Sequence, residues 1–488
     1  MYTVTRTFTL SVFTLMLALL PSAAATAQKP AAPTPPMGWN SWDSHGLTIT
    51  EDQFRANVKV LHDKLLPFGW RYAVIDEGWF FENPLDRDTP AKLHYALDSH
   101  GRYVPVPARF PSSVTKGAPA PAQSPGTLPA TIEETGFTEL GRWVHAQGLL
   151  FGIHIVRGIP RASVERNLPV EGSTFHATDV ADTTDACGWD PTNWGIRDNA
   201  AGQAWYDSLL RQYASWGIDI LKVDCISDHP YKADEIRMIR RSIDKVVAKT
   251  GRPIVLSLSP GPTAPAHAAE VATLSEMWRI SNDVWDLWKT PFSTEKNDGF
   301  PQDIRGQFAR AAAWSHFDLP TGRWPDLDML PLGEIRPVPG WGKPRSTRLT
   351  PDEQRTLMTL WSIAQSPLIL GANLTLLDDA TLKLLTNPEV LRIDQHATKR
   401  GAPLDLPGAS PDLRIWTATV RAADGKDKPV AALFNLGDTP LTIDYPTKDL
   451  GLASGSSAIV DVWTGHDLGT TNIQTTLPPH ACLLLERR

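Results

Sequence analysis

The chain has 488 residues, too many for one small domain and enough for a large barrel with an accessory domain. Its 42% hydrophobic and 21% charged residues exclude a disordered or fibrous chain. A formal net charge of −7, without any basic run, excludes a polyanionic partner, so neither nucleic acid nor an anionic lipid surface is expected.

The first residues read as an export signal. Arg6 supplies a positive start, residues 8–20 form an apolar run too short to span a bilayer comfortably, and Ala25-Thr26-Ala27 offers a small-x-small cleavage pattern. Residues 1–27 are therefore assigned to a signal peptide and the mature chain to a secreted or periplasmic protein, with no membrane association once the signal is removed. Three cysteines, Cys187, Cys225 and Cys482, permit one disulfide in such a compartment. Cys482 lies in the apolar run Ala481-Cys482-Leu483-Leu484-Leu485 and is expected to be a buried small hydrophobe.

From about residue 35 to 395, short apolar runs alternate with amphipathic stretches, the signature of parallel βα units. Candidate strands are 37–42, 72–76, 150–156, 218–224, 254–258, 277–281, 323–329 and 367–371. Eight such runs predict a closed (β/α)8 TIM barrel over residues 28–398. The helix over 234–249 puts Ile236, Ile239, Ile243 and Val246 on one face and ends before Gly251. Thr350-Pro351-Asp352-Glu353 is a capping box with proline at the first helical position, and Thr48 with Glu51 suggests a similar start. Residues 80–134 are too long and Pro-rich for a plain βα loop and are expected to wall one side of a pocket. A Pro/Gly-rich stretch from Gly401 to Gly408 precedes short strand-like runs with no helical period. They predict an antiparallel β-sandwich over residues 405–488.

In such a barrel, chemistry sits at the C-terminal ends of the strands. Those ends carry Trp42-Asp43, Asp76-Glu77-Gly78-Trp79, His154 and Arg157, Lys222-Val223-Asp224, residues 257–261, residues 279–283 and residues 326–329. Carboxylates thus converge from four strands, beside Trp, Lys and Arg. Two carboxylates suffice for glycoside cleavage, one attacking the anomeric carbon and one serving as acid and then base. The attacking group must stay ionised, and Lys222, two residues before Asp224 and on the same side of the strand, can hold that charge or simply pair with it. Arg279 is expected to point at a substrate hydroxyl rather than at Asp283. Single aspartates of this kind also serve as helix caps or ion-pair members. A metal-dependent hydrolase would need several His ligands, and although 13 His are present, the first strand offers Trp39 and Trp42 and no His pair. A sugar-binding protein without catalysis is the third class considered.

Several motifs sharpen this pattern. Pro35-Pro36-Met37-Gly38-Trp39-Asn40-Ser41-Trp42, Ile75-Asp76-Glu77-Gly78-Trp79 and Leu221-Lys222-Val223-Asp224 occur in order at strand positions. Trp278-Arg279 to Asp283, Trp324-Pro325-Asp326-Leu327-Asp328-Met329-Leu330 and Ser366-Pro367-Leu368-Ile369-Leu370-Gly371 follow, with Asp461-Val462-Trp463 and Leu477-Pro478-Pro479-His480 in the second domain. The set resembles the α-galactosidases and α-N-acetylgalactosaminidases of glycoside hydrolase family 27, over most of residues 33–485. By that resemblance Asp224 matches the nucleophile and Asp283 the acid/base, while Trp42, Asp76, Lys222, Arg279 and Asp328 match sugar-pocket positions. The resemblance implies hydrolysis of terminal α-D-galactosyl residues by double displacement, a carbohydrate partner, and no metal or organic cofactor. It also sets Cys187 and Cys225 near a family disulfide.

Three substrate-binding positions depart from the pattern. The second acid after strand two is usually Asp and is Glu77 here; its extra methylene pushes into the space that accommodates the hydroxymethyl group of galactose. His154 stands where Tyr is typical, and Ser259 stands in a segment, Ser257-Leu258-Ser259-Pro260-Gly261, where galactosidases carry Glu. The crowded position favours β-L-arabinopyranose, and the serine resembles the N-acetylgalactosaminidase solution. Cleavage of an α-glucan by a reshaped pocket is a further alternative.

Overall fold

The computed structural model describes residues 1–3, 30–114, 136–290, 300–335, 343–422, 424–452 and 455–488. Residues 4–27 of the predicted export signal and residues 115–134 of the predicted pocket wall lie outside the described residues. Among those described, no helix is long and apolar enough to cross a membrane.

Eight parallel strands form one sheet: β1 (Met37–Asn40), β2 (Tyr72–Ile75), β3 (Leu150–Val156), β4 (Ile220–Asp224), β5 (Val255–Leu258), β6 (Met277–Arg279), β7 (Trp324–Asp326) and β8 (Leu368–Leu370). Their order is β7-β6-β5-β4-β3-β2-β1-β8. The two edges meet through a parallel bridge between Leu330 and Leu370, with the Leu330 amide donating to the Ile369 carbonyl at 2.8 Å. All eight predicted strands are present, several of them shorter than expected. The run predicted over 323–329 keeps pairing only through Asp326, because Asp328 turns out of the strand at φ +85°.

Side chains of a strand alternate between faces, so every second residue points into the barrel. The inward rows are apolar at the base and polar at the top: Tyr72, Val74, Ile220, Val255, Met277 and Trp324 cluster below, while Asp76, Lys222, Asp224, Arg279 and Asp328 open into the space above. Gly38 and Gly152 make room in the lower layer; a Cβ on Gly38 would lie 2.4 Å from the Tyr72 carbonyl oxygen. The outer faces carry helices. Ala233–Thr250 buries Ile236, Ile239, Ile243 and Val246 and ends at Gly251 with φ +71°, as the periodicity predicts. Thr350 and Glu353 form the predicted capping box. The earlier start is shifted: Thr48 ends a short 3-10 turn, and Thr50 caps Glu51–Val60 in a capping box with Gln53.

After the barrel come β9 (Ala397–Pro403), β10 (Leu413–Arg421), β11 (Asp427–Asn435), β12 (Leu441–Pro446), β13 (Ile459–Asp461), β14 (Asn472–Leu477) and β15 (Cys482–Arg487). A five-stranded antiparallel sheet runs β9-β10-β11-β15-β13, and β12 pairs with β14. Ile415, Leu433, Leu485, Ile443 and Ile473 fill the space between the two sheets. The opposite face of the larger sheet, with Trp416, Val430 and Phe434, packs into the main core of the barrel. The Pro/Gly-rich stretch therefore begins inside a strand, β9, whose pairing with β10 is irregular. Cys482 is only partly buried and lies 3.3 Å from the Thr359 hydroxyl, at this junction.

The Gly38 packing is testable. Gly38→Ala forces a methyl against a neighbouring strand's backbone and should cost about 1–3 kcal/mol. The expected readout is a lower midpoint in chemical denaturation; an unchanged midpoint would mean that the strands separate there without cost.

Candidate active site

The tops of the strands enclose a cavity of about 540 Å³. The ten sequence-predicted residues, Trp42, Asp76, Glu77, His154, Lys222, Asp224, Ser259, Arg279, Asp283 and Asp328, all line it. Asp43, Arg87, Trp189, His229, Asn282, Trp285 and Phe300 line it as well and were not singled out as binding residues. Asp43 was visible as a strand-end acid. Trp189 had an indirect signal, since it sits two residues past Cys187. Arg87 had none beyond its place in the long segment after β2, which does wall the cavity at this point.

Asp224 is held as an anion. The Cys225 amide donates to its Oδ1 at 2.7 Å and the Ser259 hydroxyl at 3.2 Å, while the Trp189 indole N–H lies 3.4 Å from Oδ2. His154 Nε2 stands 3.6 Å from the same Oδ2. Burial acts to raise the Asp224 carboxyl, but His154, Lys222 and the Cys225 amide outweigh it and the net shift is downward. The amide contact depends on Cys225 adopting a left-handed conformation, φ +61°. Cys225 is disulfide-bonded to Cys187, which ties the loop carrying Trp189 to the residue after Asp224.

Two expected partnerships differ. Lys222 does not contact Asp224; its ammonium meets Asp76 Oδ2 at 2.8 Å, where the Asn40 amide also donates at 2.7 Å. Lys222 therefore acts on Asp224 through its field, while its hydrogen bond fixes Asp76. Arg279 does not point away from Asp283: its Nη2 lies 3.1 Å from Asp283 Oδ1 and its Nη1 2.8 Å from Asp328 Oδ1. A guanidinium can serve two carboxylates at once, and here it spans them.

The acids are not equivalent. Burial acts to raise Asp76, yet Lys222 and His154 drive it strongly down. Burial pushes Glu77 up to about 7 against the pull of Arg87 and His154. Burial also raises Asp328, with Arg279 opposing and Asp283 and Asp326 adding repulsion. The Asp283 side chain is 40% exposed against 17% for Asp224, so it alone of the pair stands open to solvent. Among the described residues, no group of three or more His, Cys, Asp or Glu is arranged to hold a metal ion.

A barrel with acids gathered at the strand ends and a sugar-sized cavity above them defines the class: a glycoside hydrolase. Residues 199–396 match the family model described as alpha galactosidase A, and residues 410–486 match the alpha galactosidase C-terminal beta sandwich domain. The chain is 37% identical to a solved β-L-arabinopyranosidase of glycoside hydrolase family 27 from Geobacillus stearothermophilus, with a TM-score of 0.80 and coverage of 94% of this chain and 97% of that one. It is 25% identical to an α-galactosidase of Cyamopsis tetragonoloba over 92% of this chain and 85% of the relative. It is also 25% identical to α-galactosidase D of Emericella nidulans over 96% of its own length, spanning only 60% of that relative. The chain belongs to glycoside hydrolase family 27.

The Lys222–Asp76 pair makes a stability prediction. Lys222→Met leaves a buried carboxylate without its cation and should cost about 3–5 kcal/mol near neutral pH. Against burial, Lys222 holds the folded carboxyl of Asp76 far down, and its removal lets burial raise that carboxyl in the folded variant, so the deficit should be full only above the variant's raised value and shrink as pH falls below it. Urea unfolding of wild type and variant between about pH 3 and pH 8 reads it; a pH-independent deficit would contradict the pairing.

Proposed function

We propose that the protein is a retaining exo-glycosidase acting on pyranosides of galacto configuration, with β-L-arabinopyranosides preferred and α-D-galactosides accepted. The observation that carries it is the contrast between Asp224, kept ionised by donors on both oxygens, and the solvent-open Asp283 in the same cavity.

In this reading the Asp224 carboxylate attacks the anomeric carbon while Asp283 gives its proton to the departing glycosidic oxygen. A glycosyl ester forms on Asp224. Asp283, now a carboxylate, takes a proton from water, the water oxygen attacks the anomeric carbon, and the Asp224 carboxylate is released. Two inversions give net retention, which suits carboxyl groups about 5 Å apart. Asp76, Lys222, Arg279, Asp328, Trp42 and His154 orient the sugar, whose hydroxyls meet charged groups with fixed partners. No metal or organic cofactor takes part in these steps.

Glycone choice rests on Glu77. β-L-Arabinopyranose is the galactose ring without its hydroxymethyl group, and Glu77 reaches one methylene further than the usual Asp into the space for that group. The similarity to an arabinopyranosidase, including a 36% identical structure solved with arabinose, supports this preference. The Ser259 hydroxyl is engaged by Asp224, which disfavours the acetamido reading of that serine. An oxidising destination outside the cytoplasm is supported by the Cys187–Cys225 bridge and by the N-terminal sequence pattern.

Asp224→Ala should abolish turnover of a nitrophenyl glycoside, and azide should restore part of it with an inverted glycosyl azide as product. Asp283→Ala should lower turnover of unactivated disaccharides by about 10²- to 10⁴-fold while sparing activated aryl glycosides. Full activity of the Asp224 variant would sink the assignment. Glu77→Asp should raise the α-galactoside to β-L-arabinopyranoside ratio of kcat/KM by about 10-fold or more, since one methylene is worth that much. A constant ratio across a panel of nitrophenyl glycosides would remove the crowding argument.

A further inference from the structure

Glu77 does not stand alone in the cavity wall. Arg87 Nε lies 3.3 Å from Glu77 Oε1, and the two side chains are only 16% and 5% exposed. The same guanidinium donates through Nη2 to the Trp189 carbonyl at 2.8 Å. Trp189 in turn offers its indole N–H to Asp224, and its loop is bound by Cys187 to Cys225. Arg87 thus bridges the acid on the glycone wall and the loop that touches Asp224.

We propose that Arg87 is a positioning residue for glycone choice, fixing the direction and charge of the Glu77 carboxylate against the C5 side of the sugar. The inference rests on the reading of Glu77 given above. The physical case is a matter of competing fields. The charged groups facing Glu77 are Arg87, His154, Asp190 and Asp224, and burial already disfavours its anion. Arg87 is the cation in direct contact with it, and Arg87 also acts on Asp190, a buried acid whose Oδ1 is taken by Thr192. Without Arg87, Glu77 faces two other acids with His154 as its remaining cation. Its carboxyl, which titrates near 7 with Arg87 in place, then holds its proton to higher pH, stays a donor as well as an acceptor over more of the range, and loses the ion-pair contact on its Oε1. A neutral, turnable carboxyl discriminates less sharply between a ring with a hydroxymethyl group and one without.

The test compares nitrophenyl β-L-arabinopyranoside with nitrophenyl α-D-galactopyranoside in wild type, Arg87→Gln, Arg87→Lys, Glu77→Gln and the Arg87→Gln/Glu77→Gln double variant. Each ratio of kcat/KM is followed from about pH 4 to pH 8, through the region where Glu77 titrates. Arg87→Gln should change the ratio by about 10-fold and move its pH dependence to higher pH, with Arg87→Lys restoring part of both. In the Glu77→Gln background, Arg87→Gln should leave the ratio within about 2-fold, because the residual effect through the Trp189 carbonyl falls equally on both substrates. Equal losses on both substrates in both backgrounds, with no shift in pH dependence, would overturn the proposal and leave Arg87 a scaffold residue. If Arg87→Gln fails to fold, Arg87→Lys carries the same comparison. A wild type that prefers the galactoside, yet whose ratio still responds to Arg87 only when Glu77 is present, would refute the preference proposed above and keep this inference.

Discussion

The constraint on which the structure depends is that a parallel barrel delivers its acids to one end, where they must be buried together without unfolding it. Like charges at close range in a poorly solvated space repel strongly, and desolvation adds to the cost. The chain answers by interleaving cations at fixed contacts: Lys222 on Asp76, Arg279 between Asp283 and Asp328, Arg87 on Glu77 and His154 near Asp224. At Asp43 burial and repulsion from Asp328 win: they raise its carboxyl well above the usual range, and the field of Lys222 opposes them without offsetting them. The same contacts that keep the fold tolerable set the acids apart, lowering Asp76 and Asp224 while Glu77 and Asp328 remain raised by burial.

Much of this was legible because two simple periods carry it. Period-2 alternation predicts that Lys222 and Asp224 share a face, and both open into one cavity with Asp76 and with Asp328, which lies past the end of its strand. Helix periodicity places Ala233–Thr250 within a residue at each end, and capping chemistry places the start of Pro351–Ala364. The misplaced cap shows the limit: Thr48 and Thr50 both precede acidic first turns, and only the fold decides that Gln53 closes the box on Thr50. β9 was hidden in a Pro/Gly-rich stretch because its pairing is irregular and set by β10 rather than by its own pattern.

Partner choice inside the site was less legible than membership of it. Lys222 lies next but one to Asp224, so sequence spacing favours a pair within the strand; across the barrel, Asp76 presents its carboxylate at better geometry and receives Asn40 as well. Arg87 and Trp189 come from loops without period: the Arg87 guanidinium donates to the Trp189 carbonyl, and the disulfide fixes the Trp189 loop to the residue after Asp224. Such contacts are tertiary facts, and residues that tune a site through other residues belong to this hidden class.

The second domain bears on the site through a mechanical route. Trp288, five residues past Asp283, stacks on His480 of the sandwich at 4.3 Å. His480 Nδ1 meets Glu353 at 2.7 Å, and Glu353 closes the capping box that starts helix Pro351–Ala364. Between them Asp286, fully buried, is gripped by Arg345 at 2.6 Å and Arg348 at 2.9 Å. The loop that follows Asp283 is thus fixed on one side by a buried ion-pair cluster and on the other by an aromatic stack from the sandwich. The role proposed for Asp283 asks its carboxyl to hold one direction through two proton transfers while remaining open to water. Packing the sandwich against the segment behind Asp283, rather than over it, meets both demands: rigidity comes from the buried side of the loop, and the 40% exposure of the carboxyl is left intact.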